Sequence, residues 1–264
     1  MAIHCTLLIS TYNYPQALKL ILETVLLQTV LPDEVIIADD GSGEETRLLI
    51  ETYAKKFPVP LIHIWHEDKG FRKAIIINRA IAASKYKYVI QTDGDILLHK
   101  DFVKDHLHFA QKGLYLFGTR VHIKKSFVPV VLKKKKIRFH FFSRGLKNRF
   151  RRMRILSVAT KRKDFDEISG KLRGCNMSFW KEDFIKVNGV NELCHGWGRE
   201  DSELILRFHN IGLKGKRLVY SAVCYHLDHV ENSREHLAKN DIIEENTRKF
   251  KLTYAEHGID KYLR

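Results

Sequence analysis

Tyr88-Val89-Ile90-Gln91-Thr92-Asp93-Gly94-Asp95 decides how this chain reads. Five β-favouring residues stop abruptly at two carboxylates that flank a glycine. Such a run predicts a buried strand. Past its carboxyl end, extended alternation puts Asp93 and Asp95 on one face, and Gly94 lets a ligand come close to the backbone. Carboxylate oxygens suit Mg2+ or Mn2+, which share their coordination with substrate phosphates. The bland alternative is a solvated acidic turn.

Upstream, strands and helices alternate. Residues 6–10 form a short apolar strand, and Pro15 suits the first turn of a helix carrying Leu18, Ile21, Leu22, Val25 and Leu26. Glu34-Val35-Ile36-Ile37-Ala38 is a second strand, ending at Asp39-Asp40-Gly41-Ser42. A helix over residues 44–56, a strand over 61–65 and a helix over 71–84 follow. This order predicts an α/β fold with a mainly parallel central sheet flanked by helices. Ligands bind such sheets beyond the carboxyl ends of the strands. Three of the four ends are polar: Thr11-Tyr12-Asn13, Asp39-Asp40 and Asp93-Gly94-Asp95. Asp39 is expected on the ligand, with Asp40 or Ser42 in a structural, capping role. No GxGxxG and no GxxxxGK[ST] occurs, which disfavours a dinucleotide fold and a P-loop.

The middle of the chain differs in kind. Residues 106–163 hold eighteen Lys/Arg and no Asp or Glu, in a chain of net charge +15. Without them, 28 basic residues face 31 acidic ones, so one segment makes the protein basic. Phe139, Phe141, Phe142 and Phe150 lie among these cations. The segment, taken as residues 120–165, reads as a helical excursion or a mobile loop. Regular structure is expected again in a strand over residues 175–180. Gly196-Trp197-Gly198-Arg199 then precedes Glu200-Asp201, which opens a helix with Leu204, Ile205 and Phe208 on one side and Gly212 at its end. Acidic residues there serve the helix dipole. A carboxylate partly desolvated beside Trp197 can also act as a general base. A late strand over 219–225 leads to His226 and His229, either of which can complete a metal shell. Residues 1–231 are expected as one domain and 232–264 as a helical appendage.

The four cysteines are far apart and form no CxxC, so reduced, buried thiols are expected. No apolar run approaches the roughly 18–20 residues that span a bilayer. Met1-Ala2-Ile3-His4-Cys5 lacks the basic-then-apolar order of a signal peptide. The expected location is cytoplasmic, with a peripheral place on the cytoplasmic face of the inner membrane.

With these residues in place the chain resembles a family 2 glycosyltransferase of the GT-A (nucleotide-diphospho-sugar transferase) fold, over about residues 4–230. The resemblance rests on Ile9-Ser10-Thr11-Tyr12-Asn13, Ile36-Ile37-Ala38-Asp39-Asp40-Gly41-Ser42, Lys69-Gly70-Phe71-Arg72-Lys73-Ala74 and the Asp93-Gly94-Asp95 DxD motif. Gly196-Trp197-Gly198-Arg199-Glu200-Asp201 is similar to the WGxED element of galactosyl- and N-acetylgalactosaminyltransferases and of chondroitin and hyaluronan polymerases. Arg199 stands where that family often has a second glycine. The resemblance implies an inverting transferase using a UDP-sugar and Mn2+ or Mg2+. It implies Thr11, Tyr12 and Asp39 at the base, Arg72 near the uridine or diphosphate, and Asp93 with Gly94 near the ribose and metal. Asp95 and His226 would hold the metal, with His229 as the substitute. Trp197 and Glu200 would line the sugars, and Asp201 would be the base. The acceptor would be a glycan or lipid-linked glycan of surface polysaccharide or lipopolysaccharide synthesis. Residues 124–163 would dock on an anionic membrane, grip an acidic acceptor, or simply be solvated. Two rival readings are a nucleotidyltransferase and a basic nucleic-acid-binding protein. The second leaves the acidic strand ends without a use, so no nucleic-acid partner is expected.

Overall fold

The computed structural model describes residues 2–140, 142–229 and 233–263. Strands β1 (Cys5–Thr11), β2 (Glu34–Asp39), β3 (Leu61–Trp65) and β4 (Tyr88–Asp93) alternate with helices α1 (Pro15–Leu26), α2 (Glu44–Ala54) and α3 (Lys73–Ala83). The basic half adds β5 (Ile96–Leu98), α4 (Phe102–Phe109), β6 (Leu114–Phe117), β7 (Thr119–Ile123), α5 (Val128–Lys133), β8 (Leu146–Lys147) and α6 (Leu156–Thr160). Then come β9 (Asn176–Trp180), α7 (Lys181–Lys186), α8 (Glu200–Asn210), β10 (Lys214–Arg217), β11 (Val223–Leu227) and α9 (Leu237–Lys249).

Seven strands form the main sheet in the order β10-β6-β9-β4-β1-β2-β3. Neighbours from β3 to β4 are parallel, and only β9 runs against its two partners. Its strands read as continuous apolar runs because both faces are covered. Leu7, Ile9, Val35 and Ile37 face α1, while Leu8, Ile36, Ala38 and Val89 pack with α3 and α8. A second sheet, β5-β11-β7-β8, carries its own core of Leu97, Val121, Ile123, Val223 and Tyr225.

Three expectations change. The basic segment is neither a free helix nor a loose loop: it supplies β7, α5 and β8, and buries Val128, Val131, Phe139 and Leu146. β7 alternates buried Thr119, Val121 and Ile123 with half-buried Arg120 and His122, a period-2 pattern beneath the charge. The late strand starts at Val223 rather than 219, because Tyr220 and Ala222 turn through positive φ of 55° and 44°. The C-terminal stretch does contain a helix, α9, yet Ala255 and Ile259 are buried and Ile259 belongs to the main core. It is part of the body rather than an appendage; the expected boundary after residue 231 lies outside the described residues. All four cysteines are free and buried. Among the described residues no helix is long and apolar enough to cross a membrane.

Candidate active site

Parallel register sets the site's floor. Ser10 pairs with Asp93, and Thr11 with Asp39, so the polar strand ends meet at one edge. Asp93 accepts hydrogen bonds from Ser10 Oγ at 2.6 Å and Lys73 Nζ at 2.8 Å. Gly94 is tied to Ser10 by its amide, and a Cβ there would stand 2.9 Å from Thr11 Oγ1. β5 then turns antiparallel to β11, with Ile96 opposite His226. That places Asp95 Oδ2 3.3 Å from His226 Nε2 and 3.0 Å from His229 Nε2. Burial alone would raise the Asp95 carboxyl, but the hydrogen bonds of His226 and His229 outweigh it and hold it far below the ordinary range.

The other wall comes from the second half. β9 runs antiparallel to β4, bringing Gly174 and Cys175 beside the strand end. The Gly174 amide donates to Asp201 Oδ2 at 2.8 Å, and the Ser202 amide to Asp201 Oδ1 at 2.8 Å. Gly196, Gly198 and Arg199 all take positive φ just before α8. Arg199 holds this strained conformation with its guanidinium 3.6 Å from Glu244 and its Nε 2.5 Å from Asp241, both on α9. Asn240 of α9 donates to the carbonyls of His195 and Gly198 at 2.8 Å each. Trp197 is exposed and faces the Arg234 guanidinium at 5.5 Å.

These groups line one open cleft of about 1350 Å³, including Thr11, Tyr12, Asp93, Gly94, Asp95, Trp197, Glu200, Asp201, His226 and His229. Two expected residues do not line it. Asp39 is fully buried, with its oxygens engaged by the Ser42 amide at 2.8 Å and His63 at 2.9 Å. Asp40 reaches the edge of the cleft but is buried as well, with its oxygens engaged by His66 Nε2 at 2.7 Å and the Arg72 amide at 2.9 Å, in keeping with its expected structural role. Arg72 turns its guanidinium to the Glu67 carbonyl and into a small separate pocket. Lys73, the first residue of α3, takes its place in the cleft. Burial would lower Lys73, yet Asp93 and Glu200 outweigh it and keep it protonated. Arg120 and His122 also line the cleft. Burial, then the Arg120 charge, pushes His122 down to about 4.

Burial first, and then the charge of Asp201, pushes Glu200 up from 4.5 to about 7, against the pull of Lys73. The folded protein therefore keeps a proton that the unfolded chain has released. The stability this group contributes is greatest below pH 4.5, falls between 4.5 and about 7, and stays low above that. The loss is at most ~3 kcal/mol. Glu200→Gln is thus expected to raise the melting temperature of metal-free protein at pH 8 and leave it unchanged at pH 4.5. Equal shifts at both pH values would refute the half-buried, proton-holding carboxyl.

Asp95, His226 and His229 bring one ligand atom each within 4.8 Å of one another. Asp95 Oδ1 and His226 Nδ1 are buried without a hydrogen-bond partner among the described residues. A carboxylate oxygen kept dry and unpaired beside two imidazoles fits a divalent cation.

The glycosyl transferase family 2 model matches residues 6–177, well over half of the chain. The chain belongs to glycosyl transferase family 2. A second model, described as the N-terminal domain of galactosyltransferase, matches residues 154–230, the part that carries Trp197, Glu200, Asp201 and His226. This family 2 glycosyltransferase is 23% identical to chondroitin synthase of Escherichia coli, over 84% of its own length and 34% of the relative's. It is 26% identical to validoxylamine A glucosyltransferase of Streptomyces hygroscopicus subsp. limoneus, over 79% of its length and 48% of the relative's. It thus spans less than half of either relative. S. aureus TarS 1-349, solved in complex with UDP, superposes with a TM-score of 0.63 at 15% identity, over 98% of this chain and 68% of that one. The mannosyltransferase PcManGT of Pyrobaculum calidifontis, solved with GDP-Man and Mn2+, superposes at 0.63 and 17% identity, over 95% and 65%. The fold is therefore GT-A, as the sequence motifs imply.

Proposed function

We propose that this glycosyltransferase is inverting and metal-dependent, and moves a hexose from a UDP-sugar to a hydroxyl of a glycan or lipid-linked glycan. Galactose or N-acetylgalactosamine is the favoured donor sugar, with glucose or N-acetylglucosamine next. One observation carries the reading: carboxylates from β4, its following turn and α8 converge with His226 on a single cleft. The chondroitin synthase, the UDP-bound TarS and the Mn2+-bound mannosyltransferase support the acceptor class, the nucleotide and the metal respectively.

In this reading Thr11 and Tyr12 meet the base, Asp93 the ribose, and Lys73 the diphosphate. Asp95 and His226, with His229 beside them, would hold the Mn2+ or Mg2+, whose charge would offset that of the departing diphosphate. Trp197 and Glu200 line the sugars. Asp201 takes the proton of the acceptor hydroxyl, whose oxygen forms a bond to the anomeric carbon as the bond to the diphosphate oxygen breaks. One displacement inverts the anomeric configuration. A screen of UDP-sugars for UDP release tests this: release should stop with chelator and return with Mn2+. Asp95→Asn should weaken Mn2+ binding by more than ~10-fold. Release of pyrophosphate from UTP and a sugar phosphate, with no UDP released from any UDP-sugar, would instead establish a nucleotidyltransferase.

The basic segment, we propose, lays this site against an anionic membrane. Lys124, Lys125, Lys133, Lys134, Lys135, Arg138 and Arg144 are exposed, as are Phe142 and Phe150. Phe139 is buried and so does not serve as an anchor; Phe141 lies outside the described residues. Flotation with anionic vesicles should fall steeply between low and high salt. Equal flotation with neutral vesicles would exclude this docking.

A further inference from the structure

We infer a second metal site, formed by His122, His226 and Asp228, that takes a zinc-class cation and competes for His226 with the site built on Asp95. The sheet register makes it. β7 and β11 are parallel neighbours with His122 directly opposite His226, so both imidazoles stand on one face. Their ring centroids are 5.4 Å apart. Asp228 lies two residues beyond His226, which returns it to the same side. Ligand atoms of the three lie within 4.8 Å of one another, and all three residues are half-buried.

Position separates this site from its neighbour, since each offers two imidazoles and one carboxylate. That donor set favours Zn2+ or Co2+ over Mg2+ and Mn2+, and three protein ligands leave a position for water. The Asp95 site opens beside the space for a diphosphate, whose oxygens would add the ligands that harder ions prefer. His226 stands between the two sites. Its Nε2 faces Asp95 at 3.3 Å, and its Nδ1 is buried without a partner among the described residues. A neutral imidazole has one nitrogen lone pair to give, so His226 serves one ion at a time. Zinc held here therefore withdraws His226 from the Asp95 site. Lys147, opposite His122 on β8, already donates to Asp228 Oδ2 at 3.0 Å. Its ammonium is the competitor that a divalent cation must displace.

Metal binding can be measured directly on the chelator-treated full chain, with Co2+ and Zn2+ as probes. Co2+ should give visible d–d absorption that Zn2+ abolishes. His122→Ala and Asp228→Asn should each weaken Zn2+ binding by ~10-fold or more while leaving Mn2+ binding and the melting temperature unchanged. Lys147→Met should tighten Zn2+ binding. Asp95→Asn should spare Zn2+ binding and lose Mn2+ binding. Unchanged Zn2+ affinity in both the His122 and Asp228 variants overturns the site, as does loss of Zn2+ and Mn2+ binding together in Asp95→Asn. None of these readings requires turnover, so they stand or fall apart from the proposed sugar transfer.

Discussion

Asp201→Asn is expected to lower kcat by about 10²–10⁴-fold, the contribution of a positioned general base, with UDP affinity nearly intact. The expectation follows from how the carboxylate is held. Amides of Gly174 and Ser202 each donate to one oxygen, from different elements of the chain. They fix the side chain at the cleft wall. An asparagine keeps one of the two bonds and turns its NH2 towards the other amide. It has no basic oxygen to receive a proton. The local cost of the lost bond is about 1 kcal/mol, so the variant should remain folded. UDP binding by calorimetry beside turnover separates the two effects. Retention of most turnover would remove Asp201 from the chemistry. Glu200, the neighbouring carboxyl pushed up to about 7, would then be the candidate, and its base role would show as a rising limb of kcat through neutral pH that Glu200→Gln abolishes.

The largest loss of stability is expected from Arg207→Met. Arg207 and Glu203 are fully buried on α8 and joined by two bonds, at 2.9 and 2.6 Å. The same guanidinium donates to the carbonyls of Val187 and Gly189, and Thr247 of α9 donates to Glu203 at 2.9 Å. Removing the arginine leaves a buried carboxylate with no counter-charge and two carbonyls without their donor. Breaking such a pair costs about 3–5 kcal/mol. In a chain of this size that is a melting-temperature loss of roughly 10 °C. Removing both charges with Glu203→Leu and Arg207→Met together should cost less than Arg207→Met alone, because no unpaired charge remains. If urea denaturation gives the single variant the midpoint of the parent protein, this network does not hold α8. Because α8 begins with Glu200 and Asp201, the destabilised variant should also lose turnover.

Much of the fold was legible because β1, β2 and β4 are covered on both faces. Leu7 and Leu8, or Ile36 and Ile37, point to opposite layers, yet every one is buried. Unbroken apolar runs ending in polar residues are the mark of that arrangement. β6, β7 and β8 were obscured by the cations around them, although the alternation of Val121 and Ile123 with Arg120 and His122 was present. The choice between neighbours was not legible. Asp39 and Asp40, or Arg72 and Lys73, are adjacent residues of equivalent chemistry, and the turn after the strand or helix start decides which one reaches the cleft.

Local order along the chain was enough to establish alternating strands and helices, acidic strand ends and a second acidic pair at a helix start. Those features depend on residue type and short spacing, which a linear string records. Pairing His122 with His226, or setting Gly174 against Asp201, depends on strand register between segments far apart in the chain. Register is chosen by packing over the whole sheet, and a slip of one residue would turn each side chain to the opposite face. For that reason only the tertiary structure could select Lys73 and His122 for the cleft.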